Sequence, residues 1–312
     1  MLQEKAIKIG FPRALLYHKY GPMWMHFFRA LHCQILTSPN TNRAILDQGL
    51  QYSIDENCLA VKIFLGHVQY LIGKVDYIFV PSFNCLHENE EICVKLSALG
   101  DIVRNTFKNV QLLDYIVDQS KHQDELSGLT EIGRKLGYNP SQTRQAYDEA
   151  VSVLAEHKQA ELEKQLVLLT QEPDAKCRIL VVAHSYVMHD AILGKLITRF
   201  LEEMGTEVII ADVVDEQLAR TLSTRLSSDC HWTYSKSLMG GIEFYRNQVD
   251  GIVFLMAFPC GPDALIATLC QHMIQDLPLC VLNMDELQGD AGLKTRLESF
   301  VDILLLRKEK SL

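Results

Sequence analysis

Eight short, uninterrupted apolar runs, each set off by segments with helical spacing, restrict this chain to one kind of architecture. "AIKIGF", "QILTSP", "VDYIFVPS" and "VQLLDYIV" lie in the first part of the sequence, and "CRILVVAHS", "TEVIIAD", "VDGIVFLMAF" and "LPLCVLNMD" in the second. A strand wetted on one face alternates apolar and polar residues, whereas a continuous run suits a strand covered on both faces, as in a parallel sheet flanked by helices. The expected fold class is therefore α/β, with two Rossmann-like, doubly wound parallel-sheet domains and a helical connector. A chain of 312 residues is long enough for both.

The pattern predicts an N-terminal α/β domain over residues 1–120, a helical connector over 121–172 and a C-terminal α/β domain over 173–312. Between Asp118 and Lys176 there is no strand pattern and much charge. Within it, "NPSQTRQAYDEAVSVLAEHKQAELEKQLVLL" offers Ser141 as an N-cap and places Ala146, Ala150, Val153, Leu154, Leu162 and Leu166 on one stripe. "QEPDAK" is expected to end the connector.

Several function classes are disfavoured at once. No stretch reaches the roughly 18 apolar residues of a membrane span, and "MLQEKAIKIG" lacks the regions of a secretion signal, so a soluble, cytoplasmic protein without a membrane partner is expected. A net charge of −9 without a basic cluster argues against nucleic acid as a partner. There is no G-x-x-x-x-G-K-[ST] loop and no G-x-S-x-G elbow, so neither nucleotide hydrolysis by this chain nor serine-hydrolase chemistry is expected.

In open α/β sheets ligands bind beyond the carboxyl ends of the strands. That edge should receive Ser82 to Cys85, His184 to Asp190, Asp212, Cys260, and Asp285 with Glu286. Nine cysteines are spread over the chain without the density of a disulfide scaffold. Cys33, Cys177, Cys270 and Cys280 fall inside apolar patterns and read as small hydrophobes. Cys230 stands beside His231 in a polar loop without a spacing partner.

Cys58, Cys93 and Cys260 are different, because each immediately precedes a helical pattern. A helix N-terminus favours anionic sulfur, and thiolate is the form that ligates metal. Their spacing along the chain, 35 and 167 residues, leaves both a shared soft-metal site and three separate structural cysteines open.

"IGFPRALLYHKYGPMW", "SIDENCLAVKIFLGHV", "VDYIFVPS", "VDGIVFLMAFPCGPDALI" and "NMDELQGDAGLKTRLESFVDIL" together resemble the iron-sulfur family of 2-hydroxyacyl-CoA dehydratase components, in particular its branch related to CoA-substrate-specific enzyme activases. Benzoyl-CoA reductase subunits and double-cubane cluster proteins belong to the same group. The resemblance implies two Rossmann-like domains facing a cleft with an iron-sulfur cluster, of the 4Fe-4S or double-cubane type, held by Cys58, Cys93 and Cys260; Cys85 lies where the family has no expected ligand and stands as a separate fourth candidate. Where relatives show Cys-x-Pro-Val-Lys and Cys-Pro, this chain has Ala60 after Cys58-Leu59 and Val94 after Cys93, and Leu65 stands before Gly66-His67. These changes keep the sulfur atoms and alter their surroundings, which tune a cluster's potential.

The activity implied is low-potential electron transfer to a small-molecule substrate, as an iron-sulfur reductase or dehydratase-type component of anaerobic metabolism. A separate actin-like-fold ATPase activator, carrying its own iron-sulfur cluster, would drive the electron, and the protein would form a homo-oligomer such as a dimer. The alternative is a non-catalytic iron-sulfur or zinc-binding accessory protein or electron relay. His67 reads either as a structural histidine or as a donor to cluster or substrate, Arg13 either as an anion-binding residue or as a brace between domains, and Asp285, Glu286 and Asp290 as a loop network with Arg296.

Overall fold

In the computed structural model, which describes residues 6–171, 175–287 and 289–311, the chain divides into two units, 1–157 and 158–312. The first contains β1 (Lys8–Phe11), α1 (Tyr17–Ala30), β2 (Gln34–Thr37), α2 (Arg43–Tyr52), α3 (Leu59–Leu71), β3 (Tyr77–Phe79), β4 (Ser82–Cys85), α4 (Val94–Ser97), α5 (Leu99–Thr106), β5 (Leu112–Leu113), β6 (Ile116–Asp118) and α6 (Glu125–Lys135). A long helix, α7 (Pro140–Thr170), runs through the division. The second contains β7 (Cys177–Val182), α8 (Ser185–Met188), α9 (Gly194–Glu203), β8 (Thr206–Ile210), α10 (Glu216–Ser223), α11 (Thr233–Tyr245), β9 (Gly251–Ala257), α12 (Gly261–Met273), β10 (Leu279–Met284) and α13 (Asp290–Ser311).

Each unit is built on a four-stranded parallel sheet, ordered β2-β1-β3-β5 in the first and β10-β9-β7-β8 in the second. Counted along the chain, both read second-first-third-fourth, and both place two helices between the second and third strands. These are two Rossmann-like α/β units, as the uninterrupted apolar runs predict. In this order the connections reverse direction between the first and third strands, which opens a crevice at their carboxyl ends. The crevice lies at the β1–β3 junction in one unit and at the β7–β9 junction in the other.

The third and fourth runs each divide in two. Ile78, Val80 and Ser82 donate in turn to the carbonyls of Gln111, Leu113 and Tyr115, all at 2.9 Å, so one ladder passes from the β3–β5 pair into the two-stranded β4–β6 pair. Alternate residues of a parallel strand bond to opposite neighbours. Pro81, lacking an N–H, falls on the side facing β1, and pairing with β1 stops before it. Ser82 to Cys85, expected beyond a strand end, therefore form a strand themselves.

The N-cap of α7 is Asn139 and not Ser141. Gln142 N–H donates to Asn139 Oδ1 and Asn139 N–H donates to Gln142 Oε1, both at 3.0 Å, a reciprocal capping box with Pro140 as the first helical residue. Ala146, Ala150 and Leu154 are buried, but Leu166 is exposed and the polar Gln165 is buried in its place. The reason is the outer edge of β8: Gln165 Nε2 donates to the carbonyls of Ile210 and Val213, and its Oε1 accepts from Ile210 N–H. The amide thus stands in for the missing neighbouring strand. Glu172, Pro173 and Asp174 of the expected connector end lie outside the described residues.

Helix α3 is buried from Leu59 through Val68, and it crosses α2 at backbone contact. A Cβ on Gly49 would lie 1.9 Å from the Lys62 carbonyl oxygen, and one on Gly66 would lie 2.0 Å from that of Ile45. Only glycine permits this approach. Gly49→Ala is expected to force the helices apart and lower unfolding free energy by about 1–3 kcal/mol or more, read as an earlier midpoint in urea denaturation.

Candidate functional site

At the carboxyl edge of the first sheet, Arg13 follows β1 and Ser38 follows β2. Arg13 N–H donates to Ser38 Oγ at 2.8 Å and Ser38 N–H donates to the Phe11 carbonyl at 3.1 Å, so the two strand ends are tied together. His67, fully buried on α3, has Nδ1 2.8 Å from Ser38 Oγ and Nε2 3.0 Å from Thr41 Oγ1. Both ring nitrogens are held by neutral hydroxyls. Burial, and after it the nearby Arg13 charge, pushes the His67 pKa down to about 3. It is a structural histidine.

Cys58 and Cys93 are the N-cap residues of α3 and α4, half-buried and without a side-chain cap. By contrast α2, α6 and α10 start at Asn42, Asp124 and Asp215, each of which accepts from a first-turn N–H. The two thiol-bearing segments meet through Asn57. Lys95 Nζ donates to Asn57 Oδ1 at 2.6 Å, and Asn57 Nδ2 donates to Ser53 Oγ at 3.0 Å. This bond links the turn before Cys58 to the helix after Cys93. Lys62, one turn beyond Cys58 on α3, is buried as well. Cys85 is buried in β4, with its thiol directed to the His87 carbonyl at 3.1 Å.

In the second unit, Cys260 is the N-cap of α12, again half-buried and without a side-chain cap. Gly261 faces open space, since a Cβ there would meet nothing within 4 Å. Across the β7–β9 junction, His184 Nε2 and Asp263 Oδ1 are 2.7 Å apart, and both side chains are buried. A carboxylate accepts only, so Asp263 selects the tautomer with hydrogen on Nε2. Tyr186 stacks on the His184 ring at 5.1 Å and Tyr234 meets it edge-on at 6.4 Å. His184 was expected at this edge; its pairing with a residue 79 positions away was not legible, because Asp263 reads locally as a first-turn helix acid.

The remaining cysteines sort by burial. Desolvation pushes the Cys33 and Cys177 thiols up to about 11 and that of Cys270 to about 12, and it raises Cys280. Cys230 packs in the second unit's core among Ile266, Ala267 and Cys270. These five are held as thiols or hydrophobes. Beyond the last strand, Asp285 accepts from Leu287 N–H and Arg296 donates to the Val281 carbonyl, each closing a local turn or strand end. Among the described residues, no three His, Cys, Asp or Glu side chains are grouped to hold a metal ion, and no helix is long and apolar enough to cross a membrane.

Residues 8–214 match the family described as the CoA enzyme activase uncharacterised domain, which covers more than half of the chain. Cys58 and Cys93 fall inside the matched span and Cys260 outside it. No curated protein matches the sequence. Two solved structures of the SBP FpvC from Pseudomonas aeruginosa are similar to it. One, in complex with Mn2+, is 14% identical at a TM-score of 0.28, with 99% of this chain and 100% of that chain covered. The other, in complex with Ni2+, is 13% identical at 0.29, with 99% and 98% covered. Likeness this low bears on neither fold nor ligand.

Two outcomes follow from the histidines. His67 stays neutral in the folded protein while its unfolded counterpart takes up a proton below about pH 6.5, so its contribution is complete above that pH and declines as pH falls toward 3. Urea unfolding at pH 5 should show about 2 kcal/mol less stability from this residue than at pH 7.5, a difference that His67→Gln removes. Asp263→Ala strands His184 without its carboxylate and should cost about 1–3 kcal/mol in the same measurement, with Asp263→Asn costing less.

Proposed function

The chain belongs to the CoA enzyme activase uncharacterised domain family, and from that premise we propose that it is an iron-sulfur protein of CoA-enzyme activation, with Cys58, Cys93 and Cys260 as thiolate ligands. The observation that carries this reading is the division of the thiols. Of the four half-buried thiols, three stand at helix starts whose cap position has no side-chain acceptor, and the fourth, Cys280, lies in a strand. The rest are buried in strands or cores or have a raised pKa. First-turn N–H groups stabilise anionic sulfur, by about 0.3–1 kcal/mol for the dipole alone, and thiolate is the donor that soft metals and iron-sulfur clusters take.

When bound, such a cluster supplies a one-electron carrier whose potential depends on charge, hydrogen bonding and solvent access. This chain's own residues set those surroundings. Asn57 and Lys95 hold the Cys58 and Cys93 segments together, and Lys62 and Lys95 bring cationic side chains to the same two segments. In the second unit, Asp263 keeps His184 in a fixed tautomer one helical turn beyond Cys260.

Reduction to low potential requires an energy source, and no phosphate-binding loop occurs in the sequence. A separate ATPase of the actin-like superfold, with its own iron-sulfur cluster, is therefore the proposed electron donor, and a small molecule the acceptor. Cys85, already bonded to the His87 carbonyl, is assigned a structural role in this reading.

Anaerobic purification followed by iron, sulfide and zinc analysis and electron paramagnetic resonance tests the proposal. Iron and sulfide in comparable amounts are expected, with Cys58→Ala, Cys93→Ala and Cys260→Ala each losing or reshaping the reduced signal while Cys177→Ala and Cys85→Ala retain it. Protein free of iron, or a signal indifferent to all three substitutions, refutes the cluster. Stoichiometric zinc in place of iron would identify an accessory metal-binding protein.

A further inference from the structure

Arg13 has no role in holding the thiols, yet it occupies the β1–β3 junction where an open parallel sheet receives its ligand. Its guanidinium is half-buried. Nη1 donates to Asn40 Oδ1 at 2.7 Å, Cζ lies 5.9 Å over the Tyr17 ring, and Nε is buried without an acceptor. Among the described residues no carboxylate pairs with it. Asn40 offers a neutral oxygen, so the charge stays uncompensated and is felt as far as His67. A buried N–H without an acceptor costs about 1–3 kcal/mol, and a fork of five donors with one engaged matches an oxyanion better than any neutral group.

The backbone beside it has the same preference. Leu15 adopts a left-handed φ of 50°, unusual for a branched side chain, and Leu16 returns to the right-handed region with φ −60° and ψ −18°. Consecutive residues of opposite hand form a concavity that suits anions; the Arg13, Ala14 and Tyr17 N–H groups already donate to Ser38 Oγ and the Pro12 and Ala14 carbonyls, which leaves those of Leu15 and Leu16 to line it. Helix α1 begins from this turn without a side-chain cap.

We propose that the turn from Pro12 to Leu16 is an oxyanion site, in which Arg13 binds the phosphate or carboxylate group of a small ligand through its terminal nitrogens. The site lies wholly within the first unit and stands or falls independently of the thiol ligands.

The full chain, labelled with 15N-arginine and titrated at constant ionic strength with inorganic phosphate and separately with acetate, tests it. A saturable shift of the Arg13 Nε–Hε resonance is expected with at least one anion; response to phosphate alone identifies a phosphate ligand, and to acetate alone a carboxylate. Arg13→Gln should weaken the binding about tenfold or more, and Arg13→Lys, which keeps the charge but not the fork, should weaken it severalfold. Asn40→Ala, which frees Nη1, should bind at least as tightly as the unaltered protein. Absence of a saturable shift with both anions, or unchanged affinity in Arg13→Lys, overturns the assignment; should Arg13→Gln fail to fold by circular dichroism, the lysine variant decides.

Discussion

Each sheet depends on a parallel pairing between strands that are not neighbours in the chain, β1 with β3 and β7 with β9. Parallel strands have no tight turn to join them, and each connection must carry helices across a face of the sheet. Because the second strand is placed on the far side of the first, the connections diverge at that pair, and the loops leaving both strands have nothing between them. Arg13 in the first unit, and His184, Cys260 and Asp263 in the second, occupy their positions for this reason. Residues at the same edge become chemical neighbours without any closeness in sequence.

The two buried histidines show how differently that edge can be used. His67 is bracketed by two hydroxyls and faces an uncompensated arginine, so proton uptake is opposed by desolvation and by like charge. It orders the loops after β1 and β2 across the physiological range. His184 is bracketed by a carboxylate and two tyrosine rings. The carboxylate fixes the tautomer of His184, whereas the hydroxyls beside His67 can each donate or accept.

The cysteines divide by a comparable balance. In β7 and α12, burial penalises the anion and the sulfur behaves as a compact apolar atom. At the starts of α3, α4 and α12 the sulfur atoms are half-buried and the cap positions carry no side-chain hydrogen bond. The match to the CoA enzyme activase uncharacterised domain family spans Cys58 and Cys93; the proposal for Cys260 rests on its helix start, its open glycine corner and the family likeness of its own sequence.

The sequence alone determined what arises from contacts between near neighbours in the chain. Uninterrupted apolar runs mark strands covered on both faces, and all eight contain strands. The positions of Cys58, Cys93 and Cys260 before helical patterns were legible for the same reason, and the Asn139–Gln142 capping box was present to be read although Ser141 drew attention first. Tertiary structure decided everything that depends on which elements lie side by side. It divided two runs at Pro81 and opposite it, buried Gln165 against the edge of β8, locked His67 between Ser38 and Thr41, and joined His184 to Asp263. A hydrogen bond between residues tens of positions apart exists only once strand order has placed their loops together, and that order follows from packing helices on both faces of a sheet rather than from any local pattern.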